Sequence, residues 1–94
     1  MNLLLVEDDR AIASGLEYSL QLEGYRVTLC GDSASARRTL KVESFGLAIL
    51  DLMLPDGSGY DLCREIKSLP GKETPVIFLT ASDEEVNVVM GLDM

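Results

Sequence analysis

Apolar and polar positions fall in blocks along this chain, and the blocks recur. Three short apolar runs each end on a polar side chain. LLLV at 3–6 meets Glu7, LAIL at 47–50 meets Asp51, and VIFL at 76–79 meets Thr80. Unbroken apolar runs of this length predict strands buried on both faces, as in a parallel sheet. A weaker fourth run is YRVTLC at 25–30. Between the runs the apolar spacing changes to three and four, the helical period. Ile12, Ala13, Leu16 and Leu20 share one face, and Gly24 supplies a stop. Ala36 and Leu40 follow Asp32-Ser33, with Arg37-Arg38 turned outward. Leu62, Cys63 and Ile66 follow Gly57-Ser58 and end at Pro70-Gly71. Val86, Val89 and Met90 follow Ser82, which with Glu85 reads as a capping box for a last helix.

Strand and helix thus alternate as βαβαβαβα. That order predicts an α/β fold with right-handed crossovers: a doubly wound parallel sheet with helices on both faces. There is no internal repeat, low-complexity tract or linker, and 70–74 reads as a polar loop. The 94 residues are expected to form one domain, 1–94. The last expected helix stops at MGLDM without a turn or polar tail. A sheet of four strands would leave VIFL as an apolar edge, an aggregation hazard. The chain is therefore expected to be cut short at its C-terminal end.

Composition narrows the chemistry. Apolar residues make up 47 %, enough for a core, and the formal charge of −8 disfavours direct nucleic-acid binding by this segment. The Arg37-Arg38 doublet reads as a solvated helix face. Cys30 and Cys63 sit in apolar contexts and read as small hydrophobes of a reducing compartment rather than a disulfide. There is no histidine, which excludes histidine metal sites, histidine general bases and Ser-His triads. The start MNLLLVEDD lacks a basic segment and a long apolar stretch, so no signal peptide is expected, and no run reaches membrane-spanning length. A cytoplasmic protein without membrane contact is expected.

In an open parallel sheet, ligands bind beyond the carboxyl ends of the strands. Those ends would gather Glu7, Asp8, Asp9, Asp51 and Thr80 at one mouth. Carboxylates held together repel and raise one another's pKa, and a divalent cation relieves this. An all-oxygen set admits Mg²⁺, Mn²⁺ or Ca²⁺; Mg²⁺ suits it best, and no EF-hand spacing is present to favour Ca²⁺. A strand-tip aspartate beside such a metal can act as a nucleophile toward phosphorus, and the metal offsets the phosphoryl charge. Asp51 is then a phosphoacceptor, with the Thr80 hydroxyl placed to donate to a phosphoryl oxygen. Each piece has a plainer reading. A lone aspartate after a strand is usually a turn or cap residue, an acidic run before a helix complements its dipole, and Pro55-Asp56-Gly57 is ordinary turn chemistry. The joint placement at three strand ends is what points to a site.

The segments LLLVEDD, LAILDLMLPDGSGYDLCREIK and TPVIFLTASDEEVNVVMGLDM together resemble the receiver domain of two-component response regulators, across nearly the whole chain. The wording of the middle and last segments is most similar to regulators that carry a winged-helix DNA-binding domain (the OmpR/PhoB type). The resemblance implies a flavodoxin-like receiver fold with strand order 2-1-3-4. It implies that Asp51 is phosphorylated and that Asp8 is the direct Mg²⁺ ligand, with Glu7 on or near the metal. The backbone carbonyl of Met53 would be the third protein ligand, Thr80 the switch hydroxyl, and Ala81 the small residue leaving it room; Asp9 is a helix cap. A sensor histidine kinase is the implied partner, and the parent chain would carry the DNA-binding domain. The implied module turns over no external substrate; it catalyses its own phosphorylation and dephosphorylation alone.

Family members continue past GLDM into a fifth strand with a Lys-Pro pair and a final helix. Lys41, Lys67 and Lys72 do not match that lysine. The expectation is a C-terminally truncated receiver that self-associates through its exposed fourth strand, unless its remaining strands rearrange or the missing piece comes from another chain. Two rival readings stand beside it. One is a phosphorylation-deficient receiver fragment acting only as a folding, dimerisation or interaction unit. The other is a Mg²⁺-dependent phosphohydrolase, disfavoured because Met53 stands where such enzymes carry an acid/base aspartate.

Overall fold

A computed structural model of the chain describes residues 1–71, 73–81 and 86–90. Four parallel strands form where the sequence predicts them: β1 (Asn2–Val6), β2 (Arg26–Cys30), β3 (Leu47–Asp51) and, after the short pair β4 (Met53–Leu54) and β5 (Gly57–Ser58), β6 (Val76–Ala81). Helices α1 (Arg10–Leu22), α2 (Ser33–Val42) and α3 (Gly59–Lys67) make the crossovers. The sheet order is β2-β1-β3-β6-β7, where β7 is Val86–Met90. The first four places are the expected 2-1-3-4 of a doubly wound receiver-type sheet.

The period of two along β1 sorts the core. Leu4 and Val6 point into one cluster with Ala36, Leu40, Leu50, Leu62, Cys63, Ile66 and Phe78, beneath α2 and α3. Leu3 and Leu5 point the other way, into a cluster with Ile49, Leu16 and Leu20, beneath α1. Burial on both faces is why LLLV and LAIL carry no polar alternation.

Local chemistry sets the helix ends. Asp9 caps α1, its Oδ1 accepting from the Ala11 N–H at 2.9 Å and the Ile12 N–H at 3.1 Å, as expected of it. Ser58 caps α3 by accepting from the Tyr60 N–H. Gly24, at φ 93°, turns the chain after α1 into β2. The loop after α3 is tied down more firmly than a polar loop needs. Lys67 Nζ donates to the Thr74 carbonyl at 2.8 Å, and the buried Thr74 hydroxyl donates to the Phe45 carbonyl at 3.2 Å. Both cysteines are buried and free, as small hydrophobes. Arg37 pairs with Glu65 at 2.6 Å, across from α2 to α3 at the surface.

The expected last helix is not formed. Residues 86–90 run as β7, antiparallel to β6, with Phe78 opposite Val89 and Thr80 opposite Asn87. The sequence VNVVM has apolar residues at helical spacing, yet its three valines favour the pleated backbone. A helix this short would also bear the full nucleation penalty. Pairing with β6 instead satisfies a backbone edge that would stand open. The expected open edge of VIFL is therefore covered by β7, while the other four strands keep the expected order. The capping box at Ser82 and Glu85 lies outside the described residues. Among the described residues no helix is long and apolar enough to cross a membrane.

Candidate functional site

The site is assembled by the carboxyl ends of β1 and β3. Glu7 extends β1 by one residue, its N–H donating to the Cys30 carbonyl at 3.0 Å. Asp8 follows, and its N–H donates to Glu7 Oε2 at 3.0 Å. Asp51 is the last residue of β3. Because β1 and β3 are register neighbours, with Val6 opposite Leu50, the residues that follow meet at one mouth. Carboxylate oxygens of Glu7, Asp8 and Asp51 all lie within 4.8 Å of one another. Glu7 and Asp51 are buried and Asp8 is exposed.

This crowding has an electrostatic consequence. Burial, and then the hydrogen bond and charge of Asp51, push the Glu7 carboxyl up from 4.5 to about 8. The donors at hand offset little of it: the Met53 N–H reaches Asp51 Oδ1 at 3.2 Å, and backbone N–H groups next to Glu7 pull weakly the other way. A divalent cation fits this donor set. Three carboxylates without histidine or cysteine make a hard, all-oxygen site, and its surplus negative charge is what a cation would balance.

The other residues singled out in the sequence are placed as follows. Met53 opens β4 beside Asp51 with its thioether exposed, opposite Ser58 in β5. Thr80 and Ala81 close β6 at the same end of the sheet, just past Leu79, the register partner of Asp51. That is a backbone placement; their side chains lie outside the described set. Asp9 turns to α1 as its cap and is not among the three clustered carboxylates.

Three features were not foreseen. Gly59, the first residue of α3, packs directly on the backbone of Asp51. A Cβ there would overlap the Asp51 carbonyl oxygen and stand 3.0 Å from its carbonyl carbon. The signal was a glycine eight residues past Asp51, which sequence alone gave no reason to notice. Asp56, read as a turn residue, sends its carboxylate to the start of α2: Oδ1 accepts from the Ser33 N–H at 2.8 Å and Oδ2 from the Ala34 N–H at 3.0 Å. A cap reaching across 23 residues leaves no local signature. Third, a cleft of about 380 Å³ opens beside the acidic pair, lined by Glu7, Asp8, Arg10, Ser14, Leu29 and Gly31 among others.

A doubly wound sheet with an acidic cluster at the tips of its central strands is the architecture of a receiver. Over residues 3–94 the chain matches the response regulator receiver domain, and it belongs to that family. It is 43 % identical over 94 residues to the transcriptional regulatory protein GltR of Pseudomonas aeruginosa, covering 99 % of this chain and 39 % of that protein. It is 37 % identical over 93 residues to the sensory transduction protein RegX3 of Mycolicibacterium smegmatis, covering 99 % and 40 %. The chain thus spans about two fifths of the length of these curated relatives. Among solved structures it is similar to the non-phosphorylated HemR receiver domain of Leptospira biflexa, with 37 % identity and a TM-score of 0.78 over 88 % of this chain and 68 % of that one. It is also similar to the response regulator protein TrrA of Thermotoga maritima, solved in complex with Mg²⁺-BeF, with 30 % identity and a TM-score of 0.79 over 88 % and 71 %.

Proposed function

We propose that residues 1–94 form a receiver domain whose Asp51 accepts a phosphoryl group from a sensor histidine kinase in the presence of Mg²⁺. The observation that carries this is the meeting of Glu7, Asp8 and Asp51 carboxylates within 4.8 Å at the mouth of the parallel sheet. In the transfer, a carboxylate oxygen of Asp51 attacks phosphorus. The O–P bond forms as the P–N bond of the donor phosphohistidine breaks, and the released imidazole nitrogen takes a proton from water. Hydrolysis later adds water to phosphorus and returns Asp51 and inorganic phosphate. The side chains of Glu7, Asp8 and Asp51 and the backbone carbonyl of Met53 would hold the metal. A bound Mg²⁺ supplies positive charge that offsets the phosphoryl oxygens and the carboxylates around them.

Within this reading Thr80 supplies the switch hydroxyl and Ala81 the space beside it. The domain turns over no external substrate: the residue two past Asp51 is Met53, whose exposed thioether can neither give nor take a proton, which tells against a phosphohydrolase. The names of GltR, a transcriptional regulatory protein, and RegX3, a sensory transduction protein, support a signalling role in a longer chain; a DNA-binding output of the winged-helix type and a place in the cytoplasm belong to the same proposal.

The test is incubation with Mg²⁺ and a small acyl phosphate, followed by intact mass. A gain of about 80 Da, one phosphoryl group, is expected in the unaltered chain and none in Asp51→Asn. No gain in either leaves the rival reading, a receiver that folds and associates without phosphotransfer.

A further inference from the structure

Asp56 stands in the two-residue turn between β4 and β5, where Leu54 pairs with Gly57 and Met53 with Ser58. This small hairpin follows Asp51 directly and is held at three places. At its base the Met53 N–H donates to Asp51 Oδ1, at 3.2 Å. On its return the Gly59 N–H donates to the Leu52 carbonyl at 3.0 Å, with Gly59 packed on the Asp51 carbonyl. At its tip both carboxylate oxygens of Asp56 accept from the first turn of α2.

A helix start presents four N–H groups without intrahelical partners. In α2 three of them are assigned. Asp32, the residue preceding the helix, takes one: its Oδ1 accepts from the Ser35 N–H at 2.8 Å, while its carbonyl accepts the first intrahelical bond, from the Ala36 N–H at 3.3 Å. Asp56 takes the other two, those of Ser33 and Ala34. The division separates two jobs. Asp32 caps the helix from within its own segment, whereas Asp56 joins the helix to the loop that carries the phosphoacceptor.

We infer that Asp56 is a positioning residue for Asp51: by clamping the β4–β5 hairpin to α2, it fixes the Asp51 carboxylate and the Met53 backbone for metal and phosphoryl binding. The inference rests on the receiver reading above and deepens it. Coupling through the hairpin runs both ways, because linkage between two sites is reciprocal. Occupation of the acidic mouth therefore reaches the start of α2.

The test compares Asp56→Ala with Asp32→Ala and Asp56→Asn, each as the full 94-residue chain. Thermal midpoint, Mg²⁺ affinity by calorimetry and phosphorylation rate with acetyl phosphate are measured at a temperature where every variant is folded. Both alanine variants lose helix capping, so both midpoints fall. Asp56→Ala is expected to weaken Mg²⁺ binding and phosphorylation by about tenfold, the usual scale for losing a support of the liganding residues, while Asp32→Ala stays within about twofold of the unaltered chain. Asp56→Asn keeps an acceptor oxygen and is expected to recover part of the loss. Equal Mg²⁺ affinity in Asp56→Ala and Asp32→Ala overturns the inference. A chain that binds Mg²⁺ but gains no phosphoryl mass removes the phosphoacceptor reading, and the Mg²⁺ comparison still decides the role of Asp56. A chain that binds no Mg²⁺ overturns both.

Discussion

Two places in this molecule gather carboxylates, and they treat them in opposite ways. At the mouth of β1 and β3, Glu7, Asp8 and Asp51 face one another, and Glu7 is pushed up to about 8 by burial and by Asp51. At the start of α2, Asp32 and Asp56 face donors. Asp32 is held below its ordinary value by the Ser35 hydroxyl and N–H, and Asp56 by the N–H groups of Ser33 and Ala34. The functional group is the same, a carboxylate; the surroundings decide. The helix start is electrostatically satisfied by the protein alone, while the mouth has a deficit of positive charge. A deficit retained in a folded domain marks the place where something else is to bind.

The largest effect expected is on Asp51 itself. Asp51→Asn should abolish the gain in mass with acyl phosphate. It should also raise the thermal midpoint of the metal-free chain, because one of three crowded carboxylates is removed. Asp32→Ala at the satisfied cluster should lower the midpoint. If both substitutions shift the midpoint the same way, the two clusters do not differ as described.

Next in size is Gly59. Gly59→Ala places a methyl group against the Asp51 carbonyl, where the neighbours are backbone atoms that cannot swing aside. A loss of about 3 kcal/mol is expected, the upper part of the overpacking range. Gly15, in the middle of α1, has open space where its Cβ would go. Gly15→Ala should therefore stabilise by about 0.5–1 kcal/mol through helix propensity. Urea unfolding of both variants separates a glycine required by close approach from one that is not.

A smaller effect per unit of pH distinguishes the clusters by titration. In the metal-free fold Glu7 binds its proton more tightly than in the unfolded chain. Stability should then fall as pH rises from 4.5 toward about 8, and level off above. Asp32 and Asp56 act with the opposite sign: their lowered values stabilise the fold above 3.8, and that support is lost as pH falls below it. Thermal midpoints across pH should show both limbs. Mg²⁺ should flatten the upper limb, since a cation that binds only the ionised site stabilises the fold most where the repulsion is greatest. An upper limb unchanged by Asp51→Asn would detach the Glu7 shift from its neighbour.

The legible parts of this molecule are those whose cause is local. LLLV, LAIL and VIFL read as strands because burial on both faces leaves only one kind of side chain acceptable, and each lies in β1, β3 or β6. The meeting of Glu7, Asp8 and Asp51 followed from one further step, the rule that parallel strands present their carboxyl ends together. The features that escaped are settled by distant residues. Val86, Val89 and Met90 fit a helical face as well as a strand, and the open edge of β6 decides between them. Asp56 looks like any turn aspartate until α2 is brought 23 residues back to it. Gly59 is required by the carbonyl of Asp51, across a hairpin whose turn at Pro55-Asp56 is legible but whose close return onto β3 is not.

The smallest effect completes the contrast between helix starts. In α1 a single residue does the work: Asp9 Oδ1 accepts from both the Ala11 and Ile12 N–H groups, and no residue from elsewhere in the described chain supports that end. Asp9→Ala should destabilise by about 1 kcal/mol, the typical worth of an aspartate cap. In a domain of this size that is a fall of roughly 4–8 °C in thermal midpoint. The α2 end has two aspartates, so neither Asp32→Ala nor Asp56→Ala alone strips the three donors they hold. Combining them should produce a larger fall than the sum of the single changes, because each single variant keeps the other aspartate and the double variant keeps none. Adding Asp9→Ala to either should give simple additivity, since α1 and α2 lie on opposite faces of the sheet. Additive loss at α2 as well would mean that the two aspartates, each on its own donors, hold the helix end without supporting one another.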